Sequence, residues 1–419
     1  MVVLQANKFF WLKGGAERYF FSVSDELESR GHPVAHFAME HPENRPSPYS
    51  KYFVRHRDYD SPAGALRTLS QAASFIRSRE AARRVTELVR DHRPDVAHLH
   101  NTYHQLTPSI IEALDEAGVP VVMTLHDYKL NCPNYCHFAR GEYCYRCQGG
   151  RYYNAARVRC SGGSFARSAL LSVEAYWQRR TGVYGRVRRF IAPSRFMRDH
   201  TAAAAADIGI DPARVVYLPS LCPSPETGSG LSEAEQAVLD GLPATFVLYF
   251  GRLSVEKGLD SLLDAAERLP EVPFVLCGDG PQREALEAAV SGRALENTQF
   301  TGYANKPLLE RIVERARVAV LPAIWPENAP FTVIEAAAAG VPLVVSDMGG
   351  LPEMAEIVSG VVFRRGDGAD MAQKIKALWN DPAGAAARGQ AGRQAAVEYF
   401  DTDRHMEALL EIYDEVRRG

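Results

Sequence analysis

Short apolar runs of strand length alternate with amphipathic stretches of helical period twice along this chain, and that alternation limits the fold more than any single motif does. In the first pass Val2–Ala6, Val34–Ala38, Asp95–His100, Val121–Leu125 and Arg189–Ala192 read as strands. Helical stretches Ala16–Arg30, Ser70–Arg90 and Pro108–Ala117 separate them. Strands that are apolar along their whole length need cover on both faces, which a parallel sheet between helices provides. After a Pro/Ser-rich segment at 219–230 the alternation restarts, with strands Thr245–Phe250, Phe274–Cys277, Val318–Leu321 and Leu343–Ser346. Helices Gly258–Leu269, Pro281–Ser291 and Phe331–Ala339 lie between and after these strands. The 419 residues therefore predict two doubly wound α/β domains, at 1–218 and 231–400, joined by the 219–230 linker. A last helix at 401–419 is expected to pack back on the first domain. Ligands of such sheets sit beyond the carboxyl ends of the strands, so two of them predict a central cleft that both sheets face.

The residues that carry chemistry gather at those strand ends. Trp325-Pro326-Glu327-Asn328-Ala329-Pro330-Phe331-Thr332-Val333-Ile334-Glu335 puts one carboxylate before a helix start and a second inside it. A helix N-terminus with free N–H groups suits a diphosphate, and carboxylates beside it suit sugar and ribose hydroxyls. The pattern points to a nucleotide sugar. Gly251-Arg252-Leu253-Ser254-Val255-Glu256-Lys257-Gly258 follows the first strand of the second domain, and Arg252 and Lys257 supply two cations where a departing diphosphate would need them. Gly14-Gly15 opens the first helix, where glycine lets a backbone approach a phosphate closely. It lacks the G-x-G-x-x-G spacing of a dinucleotide site. His126-Asp127 ends one strand, with His98, His100, Asn101, Tyr103 and His104 at the end of its neighbour, a candidate acceptor pocket. The triplets Asp58-Tyr59-Asp60 and Asp401-Thr402-Asp403 follow no buried strand and read as solvated loops, so no catalytic metal is expected.

Charge is divided between the halves. Residues 1–200 hold 29 Lys/Arg against 19 Asp/Glu, a net of +10, and the remainder holds 19 against 32, a net of −13. Arg-rich, aromatic-interleaved segment 146–198 fits an anionic or lipid-linked acceptor and a peripheral membrane contact, or simply a solvated face. No nucleic-acid motif accompanies it. The N-terminus reads as a first strand and not as a signal peptide, and no apolar run is long enough to span a membrane. A cytoplasmic protein, peripheral at the inner membrane face, is the expectation. Five of seven cysteines fall in an insertion at about 128–165. Cys132, Cys144, Cys147 and Cys160 have the spacing of a structural zinc site, with Cys136 or His137 as substitutes; unligated thiols and disulfides are the other readings.

Taken in order, Gly14-Gly15-Ala16-Glu17-Arg18, Thr124-Leu125-His126-Asp127, Pro193-Ser194-Arg195-Phe196, Gly251-Arg252 with Glu256-Lys257-Gly258, Gly278-Asp279-Gly280-Pro281, Glu327-x7-Glu335, Gly340-Val341-Pro342 and Gly349-Gly350-Leu351-Pro352-Glu353 resemble the family-4 retaining glycosyltransferases of the GT-B fold. The likeness covers nearly the whole chain. It implies metal-independent transfer of a sugar from a nucleoside-diphosphate sugar, UDP-linked most often, to a glycan, lipid-linked or small-molecule acceptor. Arg252 and Lys257 would hold the diphosphate and Glu335 the ribose. Glu327 would hold the donor sugar, which His126 would face. Backbone around Asn328, Ala329, Pro330 and Phe331, with Gly14 and Gly15, would complete the phosphate site. Thr332 stands where the family often has glycine, so sugar identity does not carry over. A nucleotide-sugar 2-epimerase or hydrolase on the same fold, and a non-catalytic zinc-knuckle interaction protein, are the competing readings.

Overall fold

The computed structural model describes residues 1–57, 72–222 and 230–419. Asp58-Tyr59-Asp60 and most of the 219–230 linker lie outside the described residues. The chain forms two compact units: residues 1–140, 144–220 and 403–419, and residues 221–402 with 141–143.

In the first unit the order is β1 (Val3–Ala6), α1 (Gly15–Ser29), β2 (Val34–Phe37), α2 (Arg79–His92), β3 (Val96–Leu99), α3 (Ser109–Glu116) and β4 (Val121–Thr124). Next come α4 (Tyr153–Val158), α5 (Phe165–Thr181), β5 (Arg189–Ala192), α6 (Arg195–Ala203), α7 (Ala205–Ile208) and β6 (Val215–Tyr217). The six strands are parallel in the order β2-β1-β3-β4-β5-β6. Chain order reverses between β1 and β3, which opens a crevice at their carboxyl ends. One face of this sheet is apolar: Leu4, Ala6, Phe37, Leu99, Val121, Met123 and Phe190 join a single core. The other face carries Gln5, His98 and Thr124, all buried. Gln5 stands beside His98 in the β1–β3 register. A sheet buried on both faces normally excludes such groups, so each must find a hydrogen-bond partner inside.

The expected Ser70–Arg90 helix is interrupted: residues 72–76 are helical, and residues 77 and 78 are not. Residues 70 and 71 lie outside the described residues, and α2 begins at Arg79 because the Ser78 hydroxyl accepts from the Ala81 N–H and caps it. Helix α5, inside the Arg-rich segment, had no clear periodic signal. Its Glu174 is fully buried, 2.7 Å from the Lys129 ammonium and 3.2 Å from Nδ1 of His104.

The second unit runs α8 (Glu233–Asp240), β7 (Phe246–Phe250), α9 (Leu259–Arg268), β8 (Phe274–Cys277), α10 (Arg283–Gly292), β9 (Thr298–Gly302) and α11 (Lys306–Arg315). It continues with β10 (Ala316–Leu321), α12 (Phe331–Ala338), β11 (Leu343–Ser346), α13 (Leu351–Ile357), β12 (Val361–Phe363), α14 (Gly368–Asn380) and α15 (Pro382–Tyr399). Its parallel sheet has the order β9-β8-β7-β10-β11-β12 and reverses between β7 and β10. The last helix, α16 (Thr402–Arg418), belongs from Asp403 onward to the first unit. Its Met406, Leu409 and Tyr413 are buried. Among the described residues no helix is long and apolar enough to cross a membrane.

Candidate functional site

In the second unit the loops after β7 and β10 meet at the reversal of strand order. Val255–Lys257 make one 3₁₀ turn, which ends at Gly258 with φ +68°. A Cβ built on Gly258 would lie 2.1 Å from the Pro322 carbonyl oxygen, so only glycine lets the two loops touch. That approach brings Lys257 Nζ to 2.5 Å from Glu327 Oε1. The Trp325 indole N–H donates to the same oxygen at 2.8 Å. Lys257 Nζ also stands 5.6 Å from the centre of the Trp325 ring. The backbone of Glu327 is gripped as well: its carbonyl accepts from the Gly350 N–H at 2.7 Å. Gly349, with φ +62°, would drive a Cβ to within 2.1 Å of that carbonyl oxygen. Glu327 and Asn328 are buried.

Helix α12 starts at Phe331, and Pro330 at its cap offers no side-chain acceptor to the first-turn N–H groups. The Val333 N–H bonds the Pro330 carbonyl at 3.0 Å, and the first turn sets the positive end of the helix dipole beside Asn328, Ala329 and Pro330. Glu335 lies on the second turn of this helix, and Arg252 is exposed on the loop after β7, its carbonyl held by the Tyr249 hydroxyl at 2.7 Å. Lys257, Glu327, Asn328 and the start of α12 therefore lie together within one unit, a cation, a carboxylate and a helix N-terminus, and Arg252 is exposed on the loop that carries Lys257. The direct Lys257–Glu327 pairing and the grip of Gly349-Gly350 on Glu327 were not foreseen. The signal for the latter was present in the Gly-Gly pair directly after a strand.

In the first unit Gly14 caps α1 without a side chain, and Gly15 is its first residue. Glu17 in the first turn is buried and accepts from Asn7 Nδ2 at 3.1 Å. Burial pushes its carboxyl above the usual range despite that bond. His126 follows β4 and is half-buried, and its Nε2 lies 2.9 Å from Nδ1 of His100. Burial lowers the His126 imidazole to about 3, so the ring is neutral at pH 7. His98 is held away from the strand ends, bonded to Thr124 and Tyr413. His104 turns to Glu174. Asp127 accepts from the Tyr103 hydroxyl and from the Lys129 N–H, the latter at 2.9 Å. Of the residues expected at the acceptor side, His100 lies against His126 and Tyr103 against Asp127, while His98 and His104 serve internal bonds.

The zinc site expected on Cys132, Cys144, Cys147 and Cys160 is not supported. The four thiols line one small cavity, together with Pro133, Phe138, Ala155 and other apolar groups. Among the described residues, however, no three His, Cys, Asp or Glu groups stand as a metal would need them. The cavity they line is small and largely apolar, and burial raises the Cys132 thiol to about 11 and the Cys147 thiol to about 12. The substitutes do not repair the set, since His137 is bonded to Asn131, His200 and the Cys144 carbonyl. No disulfide links any cysteine in the chain.

Residues 13–220 match the family model described as Glycosyltransferase Family 4, and residues 235–395 match Glycosyl transferases group 1. A glycogen synthase of Mycobacterium tuberculosis is 35% identical over 179 residues, which are 41% of this chain and 43% of that protein. The chain thus aligns with less than half the length of that relative. Among solved structures, sucrose-phosphate synthase from Thermosynechococcus elongatus superposes with TM-score 0.71 at 17% identity, covering 99% of both chains. Anabaena HepE in complex with UDP and glucose gives TM-score 0.64 at 20% identity, again over 99% of both. These two likenesses establish the two-domain fold.

Proposed function

For a chain that belongs to the GT-B glycosyltransferases of group 1 and family 4, we propose that it moves a sugar from a nucleoside-diphosphate sugar to a hydroxyl acceptor, with retention at the anomeric carbon. The observation that carries the reading is the Lys257–Glu327 pair, 2.5 Å apart beside the uncapped start of α12. Ammonium and helix N-terminus suit a diphosphate, and a buried carboxylate suits the neutral hydroxyls attached to it. Lys257 and Arg252 would stabilise charge developing on the departing diphosphate, Glu327 would orient the sugar, and Glu335 would hold the ribose. In a front-face displacement the bond from the anomeric carbon to the diphosphate breaks as the acceptor oxygen bonds to the same face. The leaving phosphate oxygen helps take the acceptor proton. UDP is the first nucleotide to test, because the HepE neighbour was solved with UDP and glucose.

An anionic or membrane-borne acceptor is supported by α5, where Phe165, Val173 and Tyr176 are exposed and Arg179 and Arg180 follow. Cosedimentation with liposomes containing anionic lipid, lost on Phe165→Ser with Val173→Ser, tests that part; equal recovery of both proteins in the pellet sinks it. The main reading is tested by thermal stabilisation with UDP, GDP, ADP and TDP in EDTA. A ligand at about 100 times its Kd adds roughly 2.7 kcal/mol. Silence from all four removes the donor site. With the responding sugar nucleotide, the anomeric configuration of the product tests retention.

A further inference from the structure

Arg140, Arg146, Arg151, Arg157 and Arg159 stand exposed on the cysteine-rich insertion of the first unit. Among the described residues none of the five pairs with a carboxylate. Elsewhere in the same unit exposed arginines do find acids, as Arg77 finds Glu112, Arg83 Glu87 and Arg186 Asp115. The sequence sets this imbalance, because residues 128–165 contain a single carboxylate, Glu142. Asp207 meets the insertion from outside, but its carboxylate accepts from the Gly149 N–H at 2.7 Å. Hydrogen bonds gather the arginines around the short helix α4. Nε of Arg140 donates to the Val158 carbonyl at 3.0 Å, which lies between Arg157 and Arg159 in the chain. The Asn154 amide donates to the carbonyl of Arg146 at 2.6 Å and to that of Arg151 at 3.1 Å. Within the lobe Arg151 spends one N–H on the Gln148 carbonyl, at 2.9 Å, and Arg146 lies 4.0 Å from the Cys144 sulfur. A guanidinium has five N–H donors, so most of them are left over.

Aromatic rings stand among these cations. Tyr145 is 46% exposed and Tyr153 53%, and the Tyr153 N–H donates to the Tyr176 hydroxyl at 3.2 Å. Among the described residues of 128–164 every exposed large hydrophobic side chain is a tyrosine, Tyr135 being the third. Like charges crowded without acids repel one another, and the chain as a whole carries a net charge of −3. Attraction of a polyanion therefore has to come from a local surface such as this one. We propose that the lobe around α4 binds a linear anionic glycan of the uronate class, with guanidinium groups on its carboxylates and tyrosine rings against its sugar faces. The choice of a glycan rests on the proposed sugar transfer, in which such a polymer would be the chain being extended. A bilayer suits this lobe less than it suits α5, because interfacial anchoring takes side chains such as the Phe165 and Val173 that α5 exposes.

The test is affinity electrophoresis of the full chain, without any nucleotide, through gels containing polygalacturonate, dextran or polyglutamate. Polygalacturonate is expected to retard the chain, dextran to have no effect, and polyglutamate to retard it less. Arg146→Gln, Arg151→Gln and Arg157→Gln together should weaken the polygalacturonate interaction about tenfold, the worth of three exposed ionic contacts. All three side chains are exposed and free of internal ion pairs, so the melting temperature should not move. Arg77→Gln with Arg186→Gln, which removes charge elsewhere on the unit, should leave retardation as it was. Tyr153→Ser should weaken binding to polygalacturonate and not to polyglutamate, since only the former offers sugar rings. No retardation by polygalacturonate, equal retardation by polyglutamate, or an unaffected triple variant overturns the proposal. Binding to phosphatidylglycerol vesicles that the triple variant loses, with no binding to polygalacturonate, assigns the lobe to a membrane and overturns it as well. Because no nucleotide is present, silence of the chain toward UDP, GDP, ADP and TDP would remove the donor site and leave this binding result standing.

Discussion

The contact between Lys257 and Glu327 predicts opposite effects for two neutralising substitutions. The carboxylate side chain is 8% exposed and the lysine 25%, so the pair is partly shielded from solvent. A bound diphosphate would draw the ammonium toward itself and leave the carboxylate to the Trp325 indole and to sugar hydroxyls. Lys257→Met removes a charge-assisted contact worth about 1.5–3 kcal/mol, which lowers affinity for UDP roughly 10- to 150-fold. Glu327→Gln keeps an acceptor for Trp325 but frees Lys257 from its internal partner. UDP should then bind as well as before, or up to about fivefold better if the pair is worth roughly 1 kcal/mol. The benefit from the attached sugar should shrink roughly tenfold, because hydroxyl bonds to a carboxylate become bonds to an amide. Calorimetric titration of UDP and UDP-glucose into the wild-type chain, both variants and the double variant reads all of this. A tenfold loss of UDP affinity in Glu327→Gln, or wild-type UDP affinity in Lys257→Met, would refute the reasoning.

Three further expectations concern stability. Lys129→Met strands the fully buried Glu174 carboxylate and should cost about 3–5 kcal/mol in denaturant titration; adding Glu174→Gln should recover at least half, and no recovery would mean that the pair is not the cause. Burial lowers His36, His104 and His405 to about 4, so the unfolded chain takes up their protons below pH 6.5 while the folded chain does not. Their stabilising contribution is complete above pH 6.5 and falls away between there and about pH 4, by roughly 2 kcal/mol each at pH 5; a melting temperature flat from pH 7 to 5 would contradict it. Cys132, raised by burial to about 11 from 9.0, has the reverse dependence: the unfolded thiol ionises first, so stability drops above pH 9, by about 1.4 kcal/mol at pH 10. Cys132→Ala should flatten that alkaline limb.

Much of the architecture was legible because it depends on local pattern. Apolar strands β7, β8 and β11 are too uniform for anything but a two-sided parallel sheet, and the residues at their carboxyl ends are bound to border a crevice. That reasoning selected Lys257, Arg252, Glu327 and Glu335 by position alone. Helix α5 escaped because its outer face is as apolar as its inner one, which erases the periodicity that marks a surface helix. Cysteine spacing suggested a metal, but spacing cannot report how the side chains stand in space, and among the described residues no three His, Cys, Asp or Glu groups are placed as a metal would need them.

Sequence by itself determined the two doubly wound units, the strand ends that carry chemistry and the family, since strand burial, helix periodicity and short loop motifs are local properties of the chain. Only the tertiary structure decided which of those groups hold one another. Lys257 and Glu327 are 70 residues apart, and their contact exists because Gly258 and Gly349 admit backbone where any side chain would collide. Gln5 and Tyr413 are 408 residues apart, and their side chains meet at 3.4 Å because the last helix belongs to the first unit. A contact between distant segments exists only once both are folded, and Tyr413 meets Gln5 only when the last helix returns to the first sheet.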